Sequence, residues 1–210
     1  MSSKFVVVIP ARYSSSRLPG KILLPINGKP MVQHVYERAI KSSASHVVIA
    51  ADDEKIVKAV REFGGNVVLT SLEHQSGTDR LEEAANILKL KGSDIVVNVQ
   101  GDEPLIPPSV IDQVAQNLSK DTVCSVATLC EKIESAEVFL DPNAVKVVAD
   151  LNSRALYFSR APIPFPRDDT DKLNANVQVE INNVYRHIGI YAYRVSLLHQ
   201  FVQWPMAPLE

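Results

Sequence analysis

The sequence lacks the features that mark several large classes of protein. It contains only two cysteines, Cys124 and Cys130, and their spacing is not that of a metal site. No apolar run approaches the length of a membrane span, and the first residues carry no charged-then-apolar secretory pattern. We therefore expect buried free thiols in a reducing cytoplasm and no membrane insertion.

Positive charge is not in excess either. The formal net charge is −2 at pH 7, whereas nucleic-acid binders usually carry surplus basic residues, so we expect no nucleic-acid partner. There is no internal repeat or low-complexity segment. The chain has 210 residues, of which 46% are hydrophobic and 22% charged. This composition predicts one globular domain, residues 1–210, with a sizeable core.

The most informative stretch is residues 5–21, FVVVIPARYSSSRLPGK. Its apolar run, Phe5 to Ile9, predicts a central parallel strand buried on both faces. Arg12, Arg17 and Lys21 follow on the loop at the carboxyl end of that strand, where open α/β sheets bind ligands. Because cations and exposed backbone amides suit a polyanion, we favour a nucleoside triphosphate site over a solvated basic loop.

This loop does not match the common nucleotide-binding patterns. It has neither the Walker arrangement of glycine, lysine and serine or threonine nor the glycine-rich dinucleotide turn. Pro10-Ala11-Arg12 stands where a dehydrogenase would need that turn, so the pattern argues against a dehydrogenase.

A carboxylate follows another predicted strand, residues 94–99, in the segment QGDEP. Asp102 at the carboxyl end of that strand is well placed to hold Mg²⁺ on triphosphate oxygens. The alternative is a turn whose aspartate bonds its own backbone. The cationic loop at the end of the first strand favours the metal. At residues 52–53, a second acidic pair is explained more simply by helix capping than by a metal.

Residues 70–80, TSLEHQSGTDR, form a third polar loop. Ser76, Gly77 and Thr78 are predicted to approach a base or ribose closely, because Gly77 has no side chain. Thr78 is alternatively the N-cap of a helix over residues 79–90. A cation on the first turn of a helix is unusual, so Arg80 favours a role facing the ligand, such as binding a base carbonyl.

Strands and helices alternate as far as about residue 118, and the alternation then stops. Residues 143–150, 155–159 and 186–193 instead read as an antiparallel insertion. His187 lies in the last of these strands, and it is either a structural histidine or part of a face that contacts a sugar.

Seven segments in order resemble one family: IPARYSSSRLPGK, INGKPM, HQSGTDR, VNVQGDEPLIP, NAVKVV, ALYFSRAPIP and YRHIGIYAY. This family is 3-deoxy-manno-octulosonate (Kdo) cytidylyltransferase, of lipopolysaccharide precursor synthesis. The resemblance implies a three-layer α/β/α, Rossmann-like nucleotide-diphospho-sugar transferase fold. It also implies transfer of CMP from CTP to Kdo with Mg²⁺, and a homodimer. Within it, an insertion over about residues 121–195 would bind sugar and dimerise.

The resemblance also assigns roles to individual residues. The implied nucleotide contacts are Pro10, Ala11, Arg12, Arg17, Lys21, Ser76, Gly77 and Arg80. The implied sugar contacts are Gln100, Arg160, His187, Tyr191 and Glu210. Arg12, Lys21 and Asp102 would be catalytic, and Asp102 would bind the metal. The pair His74-Gln75 with Glu103 is similar to enzymes acting on Kdo rather than on its 8-amino relative.

Members of this family continue beyond the Pro-Leu-Glu segment with a tail that carries a second metal-binding aspartate. We expect that tail to be absent from this chain. Two alternatives stay open. One is a cytidylyltransferase for another sugar acid, 8-amino-Kdo or sialic acid. The other is a CTP-binding module without activity, which would bind CTP but release no pyrophosphate.

Overall fold

A computed structural model describes residues 4–14, 18–74, 76–165 and 184–205 of the chain. It divides into two compact units. The first unit is Met1–Ala127 with Ile190–Glu210, and the second unit is Thr128–Gly189. Within the described ranges, no helix combines the length and the apolar character needed to cross a membrane.

Strands and helices alternate as far as residue 120, as the sequence predicts, apart from a short hairpin over residues 25–30, which was not predicted. The strands are β1 Phe5–Ala11, β2 Pro25–Ile26, β3 Lys29–Pro30, β4 His46–Ala51, β5 Val67–Leu69, β6 Ile95–Asn98, β7 Val126–Lys132, β8 Lys146–Ala149, β9 Ala155–Ser159 and β10 Tyr185–Arg194. The helices are α1 Met31–Ala39, α2 Glu54–Glu62, α3 Gly77–Ile87, α4 Pro108–Lys120, α5 Ala136–Leu140 and α6 Val195–Phe201.

In the first unit, β1 lies in the middle of a mainly parallel sheet. It pairs in parallel with β4 on one side and with β6 on the other, and β5 extends the sheet beyond β4. Residues 191–194 of β10 run antiparallel to β6. After β1 the chain adds β4 and then β5 on one side of β1, and it then crosses to the other side of β1 to add β6. This reversal creates a topological switch point between β1 and β6, where α/β sheets of this kind bind ligands.

Helices cover both faces of this sheet. Right-handed crossovers place α1 and α2 on the same face, because β1, β4 and β5 follow one another in one direction. Helix α3 leads back from β5 to β6 and packs with α6 on the opposite face, where Leu81 and Leu198 bury against Val8 and Val96. The predicted three-layer α/β/α fold with a buried central first strand is confirmed.

Two helix starts show how the local sequence shapes the loops. Asp53 caps α2, because its carboxylate accepts a hydrogen bond from the backbone amide two residues later at 2.7 Å. Helix α3 begins at Gly77, and its N-cap is Ser76, which forms a reciprocal capping box with Asp79. The alternative that made Thr78 the cap of a helix over residues 79–90 is therefore wrong.

Antiparallel pairing dominates the second unit. Strand β8 pairs antiparallel with β9, and Tyr185 and Arg186 of β10 pair antiparallel with β8. A small core forms around Phe139 of α5, which is fully buried. The antiparallel character of the insertion is confirmed. Its assignment to sugar binding and dimerisation, with bounds near 121 and 195, stays a prediction.

Candidate active site

The polar loops singled out from the sequence leave the same edge of the sheet in the first unit. They follow β1, β4, β5 and β6, which are parallel, so their carboxyl ends point the same way. The first of these loops folds back on itself. Gly20, in the left-handed region at φ 69°, donates its backbone N–H to the carbonyl of Tyr13 at 2.7 Å. This turn delivers Lys21 to the switch point.

The loop after β6 approaches β1 so closely that its first turn needs glycine. A Cβ atom on Gly101 would lie 2.9 Å from the backbone oxygen of Pro10, a distance that real Cβ atoms do not tolerate. The absence of a side chain therefore allows the two strand ends to converge. Asp102, the next residue, is brought beside the loop after β1.

Lys21 and Asp102 meet across the switch point. The ammonium Nζ of Lys21 lies 2.7 Å from Oδ2 of Asp102, and the two side chains are 40% and 46% exposed. A cation and a carboxylate separated by 81 residues in sequence thus share one site at the edge of the sheet. The sequence argument predicted this convergence, and both groups remain accessible to a ligand.

Glu103 adds a second carboxyl group beside Asp102. Burial raises the pKa of Glu103, and the negative charge of Asp102 raises it further. A second carboxyl group beside Asp102 adds oxygen donors of the kind that hard cations bind.

Arg80 reaches the site from α3 but is almost completely buried, with 1% of its surface exposed. It donates hydrogen bonds to the hydroxyl of Thr70, to the carbonyl of Ser71 at 3.2 Å and to Oδ2 of Asp52 at 3.3 Å. Burial lowers the pKa of Arg80, the positive charge of Arg12 lowers it further, and the charge of Asp52 opposes both. Arg80 is therefore a fixed guanidinium with much of its donor capacity bound within the protein.

The loop after β5 is held down by Glu83 of α3. The Glu83 carboxylate accepts the backbone amide of Ser71 at 2.8 Å and pairs with the ring of His74. Ser76 uses its hydroxyl in the capping box, whereas a Cβ added at Gly77 would meet open space. Close approach of a ligand at Gly77 is thus sterically possible, and the assignment of both residues to the nucleotide stays a prediction.

Two of the predicted sugar contacts, Gln100 and Tyr191, lie in the first unit. Tyr191 stands opposite Asn98 in the register of β10 and β6, so it lies beside the strand that leads to Gln100. Its ring stacks on Tyr193 with centroids 5.8 Å apart, and burial raises the pKa of its hydroxyl. Oδ1 of Asn98 is buried and has no hydrogen-bond partner within the described residues. A polar, partly buried surface therefore borders the end of β6.

The other two described sugar candidates lie in the second unit. His187 shares a 2.9 Å hydrogen bond with Thr128, its ring meets the edge of Phe158 at 4.8 Å, and burial lowers its pKa. It borders cavities of about 620 and 440 Å³. Arg160 is exposed and donates to the carbonyl of Pro142 at 2.9 Å. These contacts are those expected of a structural histidine. Contact between His187 and a sugar bound in one of the cavities stays a prediction.

Three predicted site residues fall outside the described ranges, namely Arg17, Gln75 and Glu210. Conversely, the structure brings into the site a residue that the sequence argument passed over. Asp52 had been weighed only with Asp53 as a capping pair, yet its carboxylate contacts Arg80 and the loop after β1. No local pattern distinguishes the two aspartates, because the partners of Asp52 are distant in sequence.

Comparison with known proteins defines the class. Residues 6–210 match the cytidylyltransferase family. The chain therefore belongs to that family. The cation Lys21 and the carboxylate of Asp102 at its switch point suit the binding of a nucleotide.

The relatives narrow the class further. The chain is 61% identical over 206 residues to the 3-deoxy-manno-octulosonate cytidylyltransferase of Cellvibrio japonicus and 58% identical over 207 residues to that of Saccharophagus degradans. In both alignments it covers 98% of its own length and 81% of the relative. It also superposes on the structure of CMP:2-keto-3-deoxy-manno-octonic acid synthetase complexed with CTP, with a TM-score of 0.86 and 46% identity over 98% of this chain and 80% of that one. The family is 3-deoxy-manno-octulosonate cytidylyltransferase, as the resemblance implied.

Proposed function

We propose that the chain transfers CMP from CTP to Kdo, giving CMP-Kdo and pyrophosphate. The observation that carries this proposal is the convergence of Lys21 and Asp102 at the switch point, 2.7 Å apart, in a chain 61% identical to a named Kdo cytidylyltransferase. The chain is a nucleotidyltransferase, and CTP and Kdo are its substrates. The anomeric hydroxyl of Kdo attacks the α-phosphorus of CTP, and the bond from that phosphorus to the pyrophosphate oxygen breaks.

The protein's main tasks are alignment and neutralisation of charge. Arg12 and Lys21 lie on the loop after β1 and would hold phosphate oxygens as charge develops on them. The backbone at Pro10 and Ala11 lines the same strand end. Nothing in the arrangement calls for a covalent intermediate, because the attacking group belongs to the sugar.

Mg²⁺ is the proposed cofactor, and the donor chemistry at Asp102 fits it. Mg²⁺ is usually held by one or two carboxylates together with substrate phosphates rather than by a full protein cage. Within the described residues there is no cluster of three or more metal-ligating side chains. Asp102 would hold the ion, and Glu103 lies beside it, where burial and the charge of Asp102 raise the pKa of Glu103. When bound, the ion would neutralise phosphate charge and polarise the reacting phosphorus.

A homodimer is proposed for the second unit. Strand β9 ends the sheet path among the described strands, and its central residues Leu156, Tyr157 and Phe158 are 68%, 60% and 40% exposed. A contiguous apolar strand at a sheet edge favours association with another surface. A second copy of the chain is the occupant that the family resemblance implies.

Introducing a charge on this strand should separate the copies. We expect Leu156→Glu to raise the dimer dissociation constant by at least about a hundredfold, because a buried carboxylate without a partner is costly. Sedimentation equilibrium would measure the dimer dissociation constant. Val123→Glu, at a residue of the first unit that is 71% exposed, is the matched control and should leave the dimer unchanged. Equal dissociation constants for the two variants would remove β9 from the interface.

We also place the enzyme in the cytoplasm. Cys124 and Cys130 are both free thiols, which suits a reducing compartment. The expected burial is wrong, because Cys124 is only partly buried and Cys130 is exposed.

The test of the function is pyrophosphate release from CTP with a panel of sugar acids. Kdo with Mg²⁺ should support turnover, and 8-amino-Kdo and sialic acid should support much less. Preference for either of the other acids would reassign the substrate. Binding of CTP by calorimetry without pyrophosphate release, at saturating Kdo and Mg²⁺, would favour the non-catalytic module.

A further inference from the structure

The inference concerns Asp52, which directly follows β4. Only 6% of its surface is exposed, although a buried carboxylate is costly unless it is paired and hydrogen-bonded. Its neighbour Asp53 performs the capping of α2, so capping does not account for Asp52.

The contacts of Asp52 bracket Arg12. The backbone N–H of Asp52 donates to the carbonyl of Ala11 at 3.3 Å, and its Oδ1 accepts the backbone N–H of Tyr13 at 2.8 Å. These are the residues on either side of Arg12. Main chain and side chain of Asp52 therefore fix the backbone on both sides of the first cation of the nucleotide loop.

The second carboxylate oxygen serves another cation. Oδ2 of Asp52 accepts from Nη2 of Arg80 at 3.3 Å, and that ion pair is buried on both sides. The charge of Arg12 is also felt at Arg80, where it lowers the pKa. The negative charge of Asp52 opposes that effect, and its carboxylate accepts hydrogen bonds from both the loop after β1 and Arg80.

We propose that Asp52 is a positioning residue for nucleotide binding. It holds the loop backbone at Arg12 and the guanidinium of Arg80 in one arrangement, so that the two cations meet CTP already oriented. The proposal rests on the proposed function, since it assumes that the loop after β1 binds CTP. A carboxylate is needed because both partners are donors. An asparagine has one acceptor atom, so its amide N–H₂ would face either the Tyr13 amide or Arg80.

The test compares Asp52→Asn with Asp53→Asn. We expect Asp52→Asn to raise KM for CTP by about tenfold or more, the effect of losing a hydrogen bond to a charged group. KM for Kdo should stay within about twofold, because Arg12 and Arg80 are proposed to bind CTP and not the sugar. Asp53→Asn should leave both constants within about twofold, since asparagine caps helices as well as aspartate does. Equal KM values for CTP in the two variants, or an equal rise for both substrates, would overturn the proposal.

A double-mutant cycle separates positioning from a general loss of stability. If Asp52 acts through Arg12, then Asp52→Asn should add little to the effect of Arg12→Ala on KM for CTP. Multiplicative effects would contradict the proposal. Should Asp52→Asn fail to fold, hydrogen exchange of the unmodified protein still decides the matter. The Tyr13 amide should be strongly protected without CTP, and exchange at the rate of an open loop would refute its restraint. Failure of the proposed function would instead appear as absent turnover in the unmodified chain.

Discussion

Replacing Lys21 with alanine should lower turnover by about 10²- to 10³-fold, the effect of removing a preorganised charged donor from a reacting centre. The ammonium lies at the switch point between β1 and β6, and it would face the phosphate oxygens on which charge develops. The fold should survive, because an ion pair as exposed as Lys21–Asp102 contributes about 0–1 kcal/mol to stability. Pyrophosphate release with saturating CTP and Kdo measures the loss, and thermal unfolding monitors the fold.

Lys29→Ala is the matched control for this variant. Lys29 is also a partly exposed lysine in an ion pair, with Glu37 at 2.7 Å, but it lies on the β2–β3 hairpin. Its removal should leave turnover unchanged. Near-normal turnover in Lys21→Ala would remove this lysine from the mechanism, and an equal loss in both variants would show a general effect of charge.

The central strand and the position of the candidate site at one edge of the sheet could be predicted from the sequence. A short apolar run such as Phe5 to Ile9 is typical of a strand buried on both faces, and β1 indeed lies mid-sheet. The meeting of Lys21 and Asp102 was also predictable, because parallel strands bring their carboxyl ends to one edge. The structure adds the reason for Gly101, because the close approach to Pro10 requires a residue without a side chain.

Contacts between distant polar residues were not predictable. The unusual cation on the first turn of α3 indicated a special role for Arg80, but no pattern shows that Asp52, Thr70 and Ser71 would surround it. The start of α3 was misjudged for a different reason. Asp79 three residues after Ser76 is the signature of a capping box, so the information was present.

Replacing Asp102 with asparagine should weaken the dependence on Mg²⁺. We expect the Mg²⁺ concentration for half-maximal turnover to rise at least about tenfold, the order of loss seen even for outer partners of metal ligands. Maximal turnover should fall as well. The amide keeps an oxygen but loses the negative charge, and a hard divalent cation needs that charge. Glu103 cannot substitute fully, because burial already disfavours its ionised form.

Asp112→Asn provides the comparison for this variant. Asp112 accepts the backbone amide of Ser43 at 2.7 Å on the surface, a contact that an asparagine oxygen can keep. Its Mg²⁺ titration should match that of the unmodified chain. The two readings of Asp102 then separate, because a residue that only shapes a turn would lower stability without moving the titration midpoint. An unchanged midpoint in Asp102→Asn would assign the metal to other ligands and leave Asp102 as the partner of Lys21 alone.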